Sequence, residues 1–108
     1  MSTICFSGVV TTASVSLPGT GGQSGIGFPM LREGVLTGLS VYDGNAVRKD
    51  VSHIAFSADD KLSIYCQNVG SNFSVKVRVN GNSTPLAVAN VPLNSTLFVT
   101  LEFILKRK

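Results

Sequence analysis

The sequence has no tryptophan, one histidine, two cysteines and only 14% charged residues. Each shortage excludes something. Two cysteines are too few for a disulfide scaffold and cannot supply the four ligands of a structural zinc site. The single histidine, His53, has Asp50, Asp59 and Asp60 as its nearest acidic neighbours in sequence. A general base or metal ligand needs a partner that orients it, and His53 lies beside an apolar run, so it reads as a surface or interface residue. No stretch approaches the ~18 apolar residues of a membrane-spanning helix, so no membrane partner is expected. Met1-Ser2-Thr3-Ile4-Cys5 lacks the basic start of a signal peptide, and export by that route is not expected. The Asn-x-Ser/Thr triplets at Asn72, Asn82 and Asn94 then read as turn sequence rather than glycan acceptors.

Charge is scarce as well as small in sum. Soluble domains carry about 25% charged residues; here neutral Ser, Thr, Asn and Gly cover the surface, which suits a partly occluded exterior. The net charge of +3 comes largely from Lys106, Arg107 and Lys108. Without that tail the chain is close to neutral, so no nucleic-acid partner is expected. Aromatic residues interleaved with basic ones, which would stack single-stranded bases, are missing too.

What is present is alternation. Phe73-Ser-Val75-Lys-Val77-Arg-Val79 puts apolar residues on one face and polar ones on the other, the pattern of a half-buried strand. Leu62-Ser-Ile64-Tyr-Cys66 and Leu97-Phe-Val99-Thr-Leu101-Glu-Phe103 repeat it. Further strands are expected near 3–10, 12–17, 35–42, 51–57 and 84–90. The turn signals Asp43-Gly44-Asn45, Ala58-Asp59-Asp60 and Asn80-Gly81-Asn82 separate them, with Pro85 and Pro92 at strand starts. No window shows a helical recurrence. About eight short strands in one 108-residue domain imply a sandwich or a barrel. The stretches 54–65 and 88–100 echo each other as strand–turn–strand units. Cys66 has core parity, whereas Cys5 has the parity opposite to Ile4 and Phe6; a Cys5–Cys66 bridge stays open but is disfavoured without export. Asp59 and Asp60 are adjacent, so they point apart and make a turn rather than a calcium site, which needs six to eight oxygens.

One segment breaks the rhythm, a Gly-rich loop at 18–29. A phosphate-binding loop would need Gly-Lys-Ser/Thr running into a helix, and Phe28-Pro29-Met30 follows instead. Gly19, Gly21, Gly22, Gln23 and Gly25 are therefore expected to dock on a partner. Phe98 and Ile104, apolar on the outer side of the last strand, are expected to be covered by a sheet or a neighbouring subunit. Tyr42 and Tyr65 are the candidate ligand contacts. No catalytic, cofactor-binding or metal-binding residue is expected.

Gly34-Val-Leu-Thr-Gly-Leu-Ser-Val-Tyr42, Ala58-Asp-Asp-Lys-Leu-Ser-Ile-Tyr65, Phe73-Ser-Val-Lys-Val-Arg-Val-Asn-Gly-Asn82 and Leu93-Asn-Ser-Thr-Leu-Phe-Val-Thr100 resemble the compact jelly-roll modules of the C1q/TNF-like type. These are found in trimeric phage structural proteins and in the C-terminal domains of bacterial collagen-like surface proteins. The likeness covers about residues 34–105. It departs where family members often have a Gly-Asp turn and this chain has Asp59-Asp60 and Asn94-Ser95. It implies an all-β, eight-stranded jelly-roll sandwich acting as a homotrimer, with no catalytic residues. The expected function is a non-enzymatic subunit of a larger particle, a bacteriophage capsid decoration (cement) protein or another virion protein assembled in the host cytoplasm. Its partners would be its own copies and the major capsid protein or another virion protein. The alternative is a receptor- or carbohydrate-binding tip module.

Overall fold

The computed structural model describes residues 2–18 and 27–106. The docking residues expected at Gly19, Gly21, Gly22, Gln23 and Gly25 lie outside them. The described chain forms nine strands and no helix: β1 (Ser2–Val10), β2 (Val15–Leu17), β3 (Phe28–Pro29), β4 (Gly34–Tyr42), β5 (Val47–Phe56), β6 (Lys61–Asn68), β7 (Asn72–Val79), β8 (Asn82–Pro92) and β9 (Ser95–Leu105). They build two antiparallel sheets. The front sheet has the order β1-β9-β4-β5, and the back sheet runs β2-β6-β7-β8 with β3 also paired to β6.

The sheets share one core. β1 contributes Ile4, Phe6 and Val10, β9 contributes Leu97, Val99, Leu101 and Phe103, and β7 contributes Phe73, Val75 and Val77. These residues alternate with polar ones, so one side of each strand leaves water and the other keeps it. Cys66 sits among them, and burial pushes its thiol pKa up to about 12. Cys5 projects from the opposite side of β1 and is exposed, and no disulfide joins the two.

Both rims of the sandwich are stitched. At one, the Ser7 amide donates to the Pro18 carbonyl at 3.1 Å. Gly8 faces inward there, and a Cβ on it would come within 3.2 Å of Leu17 Cδ2, so the missing side chain lets β2 approach. At the other rim, the Ala87 amide donates to Asp50 Oδ2 at 3.1 Å.

The Gly-rich stretch interrupts a strand rather than joining two separate ones. Leu17 is opposite Ile64 and Phe28 is opposite Leu62, so β2 and β3 lie on one line along β6 with only Ser63 between them. Phe28-Pro29 thus belongs to the sheet, not to the loop expected through 29. The expected strand 12–17 also starts later, because Thr12 and Ser14 form a corner. Asn68 donates its side-chain amide to the Thr12 carbonyl, and its backbone amide donates to Ser14 Oγ at 2.9 Å.

Two other expectations change. β5 begins at Val47, four residues before the expected 51, and its pattern is inverted. Arg48 and Asp50 face the interior side at the rim, while Val47 and Val51 face outward, at 54% and 80% exposure. Inward-pointing charges on an edge strand discourage pairing with another sheet. Pro85 lies inside β8 rather than at its start. Opposite Val77 the register slips so that Thr84, Pro85 and Leu86 face a single residue; Leu86 stays in the core, and Thr84 Oγ1 donates to the Val77 carbonyl at 2.9 Å. β8 is an edge strand, so proline's missing N–H breaks no ladder.

The echo between 54–65 and 88–100 appears in the backbone. Both units cross between sheets, and both turn on a residue in the left-handed region, Asp59 at φ 70° and Asn94 at φ 55°. Asp and Asn enter that region more readily than other side chains.

Gly34 offers a direct test of the packing. A Cβ there would collide with the Ile104 carbonyl and sit 2.8 Å from Phe56 Cζ. At Gly38 the nearest atom, Glu102 Oε1, would be 3.5 Å away, an ordinary contact. Gly34→Ala is expected to destabilise by roughly 1–3 kcal/mol, as overpacking does. Gly38→Ala should melt within about 0.5 kcal/mol of the native protein. Equal denaturant midpoints for the two variants would contradict the β4–β9 register.

Candidate functional site

No cluster of three or more His, Cys, Asp or Glu residues able to hold a metal occurs among the described residues. His53 stands exposed on β5. Asp60 is committed to its turn, accepting from the Ser57 amide at 2.8 Å and from Asn80 Nδ2 at 2.9 Å; these bonds hold its carboxyl below the usual range. What stands out is the pair of outward faces, which differ in chemistry.

On the front face the registers set side chains in rows across four strands. One row runs Ser7, Phe98, Tyr42, Val47; the next Cys5, Thr100, Ser40, Lys49; a third Thr3, Glu102, Gly38, Val51; the last holds Ile104 and Val35. Phe98 and Ile104 are 52% and 48% exposed, so no other part of the described chain covers them. They stand at opposite ends of β9. Tyr42, expected as a ligand contact, lies beside Phe98 with ring centroids 6.3 Å apart, and the two form one apolar surface. Between the apolar ends the absent side chain of Gly38 leaves a shallow depression of about 360 Å³, bordered by Thr3, Thr100, Glu102, Lys49 and Val51. Thr37 Oγ1 donates to Glu102 Oε1 at 2.8 Å and steadies that carboxylate.

Tyr65 lies on the other face. It projects from β6 in the back sheet, and the Arg78 guanidinium stacks on its ring at 3.8 Å. The two tyrosines therefore cannot form one ligand platform, and Tyr65 is half-buried rather than exposed. Its neighbours are polar: Lys76 Nζ donates to Gln67 Oε1 at 2.6 Å, and Ser63 is opposite Arg78. Sequence reasoning missed Val47 and Val51 on the front face because the charges at 48–50 resemble a loop. It also missed Leu31, 78% exposed at one end of the sandwich beside an apolar cleft of about 450 Å³ lined by Phe28, Met30, Phe103 and Leu105. An isolated apolar residue next to Arg32-Glu33 gives no periodic signal.

The turn that positions Tyr42 against Val47 is held by Asp43. Its Oδ1 accepts the Asn45 and Ala46 amides at 2.8 Å each, and Arg48 Nη1 donates to Oδ2 at 2.6 Å. The Ala46 amide, then Arg48, hold the Asp43 pKa down, from 3.8 to about 2. A carboxylate with a depressed folded pKa contributes stability above its unfolded value and loses it as pH falls through the folded one. Asp43→Asn keeps an acceptor but cannot ionise. It should have a lower denaturation midpoint than the native protein at neutral pH, and the gap should close between pH 3.8 and about 2. A gap that does not change with pH would remove the ion pair from the account.

The two thiols provide a second check on the faces. A thiol-reactive chromogenic disulfide should label one cysteine in the native protein and two after denaturation. Two fast native equivalents would place Cys66 outside the core.

No protein-family model matches this chain, nor does any curated protein or solved structure.

Proposed function

We propose that this chain is a non-enzymatic structural subunit that associates with its own copies through the outward face of the front sheet. The observation that carries this reading is the exposure of Tyr42, Val47, Val51, Phe98 and Ile104 on one face with few charges. Four strands about 4.8 Å apart and roughly 27 Å long present about 500 Å² per copy; two faces paired in full reach the ~1,000 Å² that a specific interface needs, and a three-fold contact, which divides the face between two neighbours, must draw further area from the rims. In a three-fold assembly the contact is heterologous, one patch of a subunit meeting a different patch of the next. The β5 edge with Val47 and Val51 and the Phe98–Tyr42 end supply two such patches.

A homotrimeric jelly-roll subunit of a virion, with the Gly-rich segment at 18–29 docking on a capsid or other particle protein, is the fuller form of the proposal. It rests on the sequence resemblance. In its support, the last strand, β9, lies between β1 and β4, as a rolled-up sandwich requires, and β2 and β3 anchor both ends of the Gly-rich segment on β6. The β6–β7–β8 meander is simpler than a full double Greek key. A second reading, a receptor- or carbohydrate-binding module, draws on the Gly38 depression, whose rim combines hydroxyls with Glu102 and Lys49. Tyr42 would then be its aromatic contact, without Tyr65.

Light scattering coupled to size exclusion tests the self-association. The native protein is expected as a single closed oligomer, a trimer, at micromolar concentration. Phe98→Asp should weaken association at least tenfold while the melting temperature of the subunit stays close to native, because Phe98 lies outside the core. A monodisperse native monomer at about 100 µM would overturn the proposal. Glycan binding abolished by Gly38→Val would favour the second reading.

A further inference from the structure

The back sheet carries charge of one sign. Its strands β2, β3, β6, β7 and β8 contain Lys61, Lys76 and Arg78 and not one Asp or Glu. The nearest carboxylates are already engaged, Asp50 by the Ala87 amide and Asp60 by Ser57 and Asn80. These carboxylates keep their charge, and Asp60 offsets Lys61 beside it, which leaves Lys76 and Arg78 as cations with no ion-pair partner among the described residues.

Arg78 is the unusual member. Its guanidinium carbon sits over the Tyr65 ring, 3.8 Å from the centroid, a cation–π contact that holds the group against the ring. Its Nε is sealed from solvent without an acceptor, and the two Nη nitrogens form no hydrogen bond or ion pair among the described residues. A guanidinium presents donors in a planar fork matched to two oxygens of one carboxylate or phosphate. Most surface arginines lose rotamer freedom when they bind such a group; this one has been immobilised by stacking beforehand. Lys76 projects from the same side of β7 two residues away, about 7 Å along the strand, and Gln67 holds its ammonium in place. The hydroxyl-bearing residues Ser63 and Ser83 stand opposite Arg78 on the two flanking strands.

We infer that the outward face of the back sheet is an oxyanion-binding site, in which the Nη atoms of Arg78 take two oxygens of a carboxylate or phosphate group and Lys76 supplies the second positive charge. The stacked guanidinium occupies the Tyr65 ring, so recognition is of the anionic group and not of a base or sugar ring. This goes beyond the self-association proposed for the front sheet and is independent of it: one sheet would meet further copies, the other an anionic partner.

The test is a nuclear magnetic resonance titration of the full chain with sodium phosphate and, separately, sodium acetate, at ionic strength held constant with sodium chloride. The Arg78 Nε–Hε signal and the Ser63, Lys76 and Ser83 amides are expected to shift saturably. Saturation with both anions identifies a general two-oxygen site, and saturation with phosphate alone identifies a phosphate site. Arg78→Lys keeps the charge but not the fork and should weaken binding at least threefold; Lys76→Gln should weaken it similarly without disturbing the Tyr65 stack. Lys49→Gln on the front sheet should leave binding unchanged. Shifts that stay linear in anion concentration, or equal affinity for native, Arg78→Lys and Lys76→Gln proteins, would overturn the assignment.

Discussion

Everything in this molecule depends on the burial of alternate side chains between two antiparallel sheets. Because side chains alternate strictly, sliding any strand by one residue would exchange its core and solvent sets. Leu97, Val99, Leu101 and Phe103 on β9 and Phe73, Val75 and Val77 on β7 leave no second register with comparable burial. Once these strands are fixed, the outward residues follow without further choice. Phe98 and Ile104 go to the front face, and Lys76 and Arg78 to the back.

The same constraint explains the irregularities. A sheet with two open rims has unpaired edge groups that invite other strands. β8 answers with Pro85 and two register slips, the second opening at Asn90 in the left-handed region at φ 61°. β5 answers by turning Arg48 and Asp50 inward, where one pairs with Asp43 and the other receives the Ala87 amide. A charge used this way stabilises the rim and removes it from the outer face. Arg48 and Asp50 are thereby kept off the front face, whose outward rows hold Lys49 and Glu102 as their charged residues.

Much of this was legible from alternation alone. β6, β7 and β9 read directly, as did the turns at Asp43, Asp59 and Asn80, because glycine, asparagine and aspartate mark positions where the backbone must reverse. The candidate sites were only partly legible. Phe98 and Ile104 could be assigned to an outer face because they break the polar side of an otherwise clean pattern. Val47 and Val51 could not, since the charges at 48–50 resemble a loop, and only the rim partners of Arg48 and Asp50 turn those two charges inward. Tyr42 and Tyr65 looked equivalent in sequence, each next to an alternating strand. Only the assignment of their strands to different sheets separates an exposed ring beside Phe98 from one covered by Arg78.

That the chain is all-β, where most strands lie and which residues fill the core can be read along the chain, because strand period and hydrophobic burial are local properties. The remaining features come from long-range pairing. The alignment of β2 with β3 along β6, the inversion of β5, the grouping of apolar residues on the front and cations on the back, and the stacking of Arg78 on Tyr65 all depend on which strands become neighbours. That choice is made by pairing between residues far apart in sequence, and no local pattern encodes it.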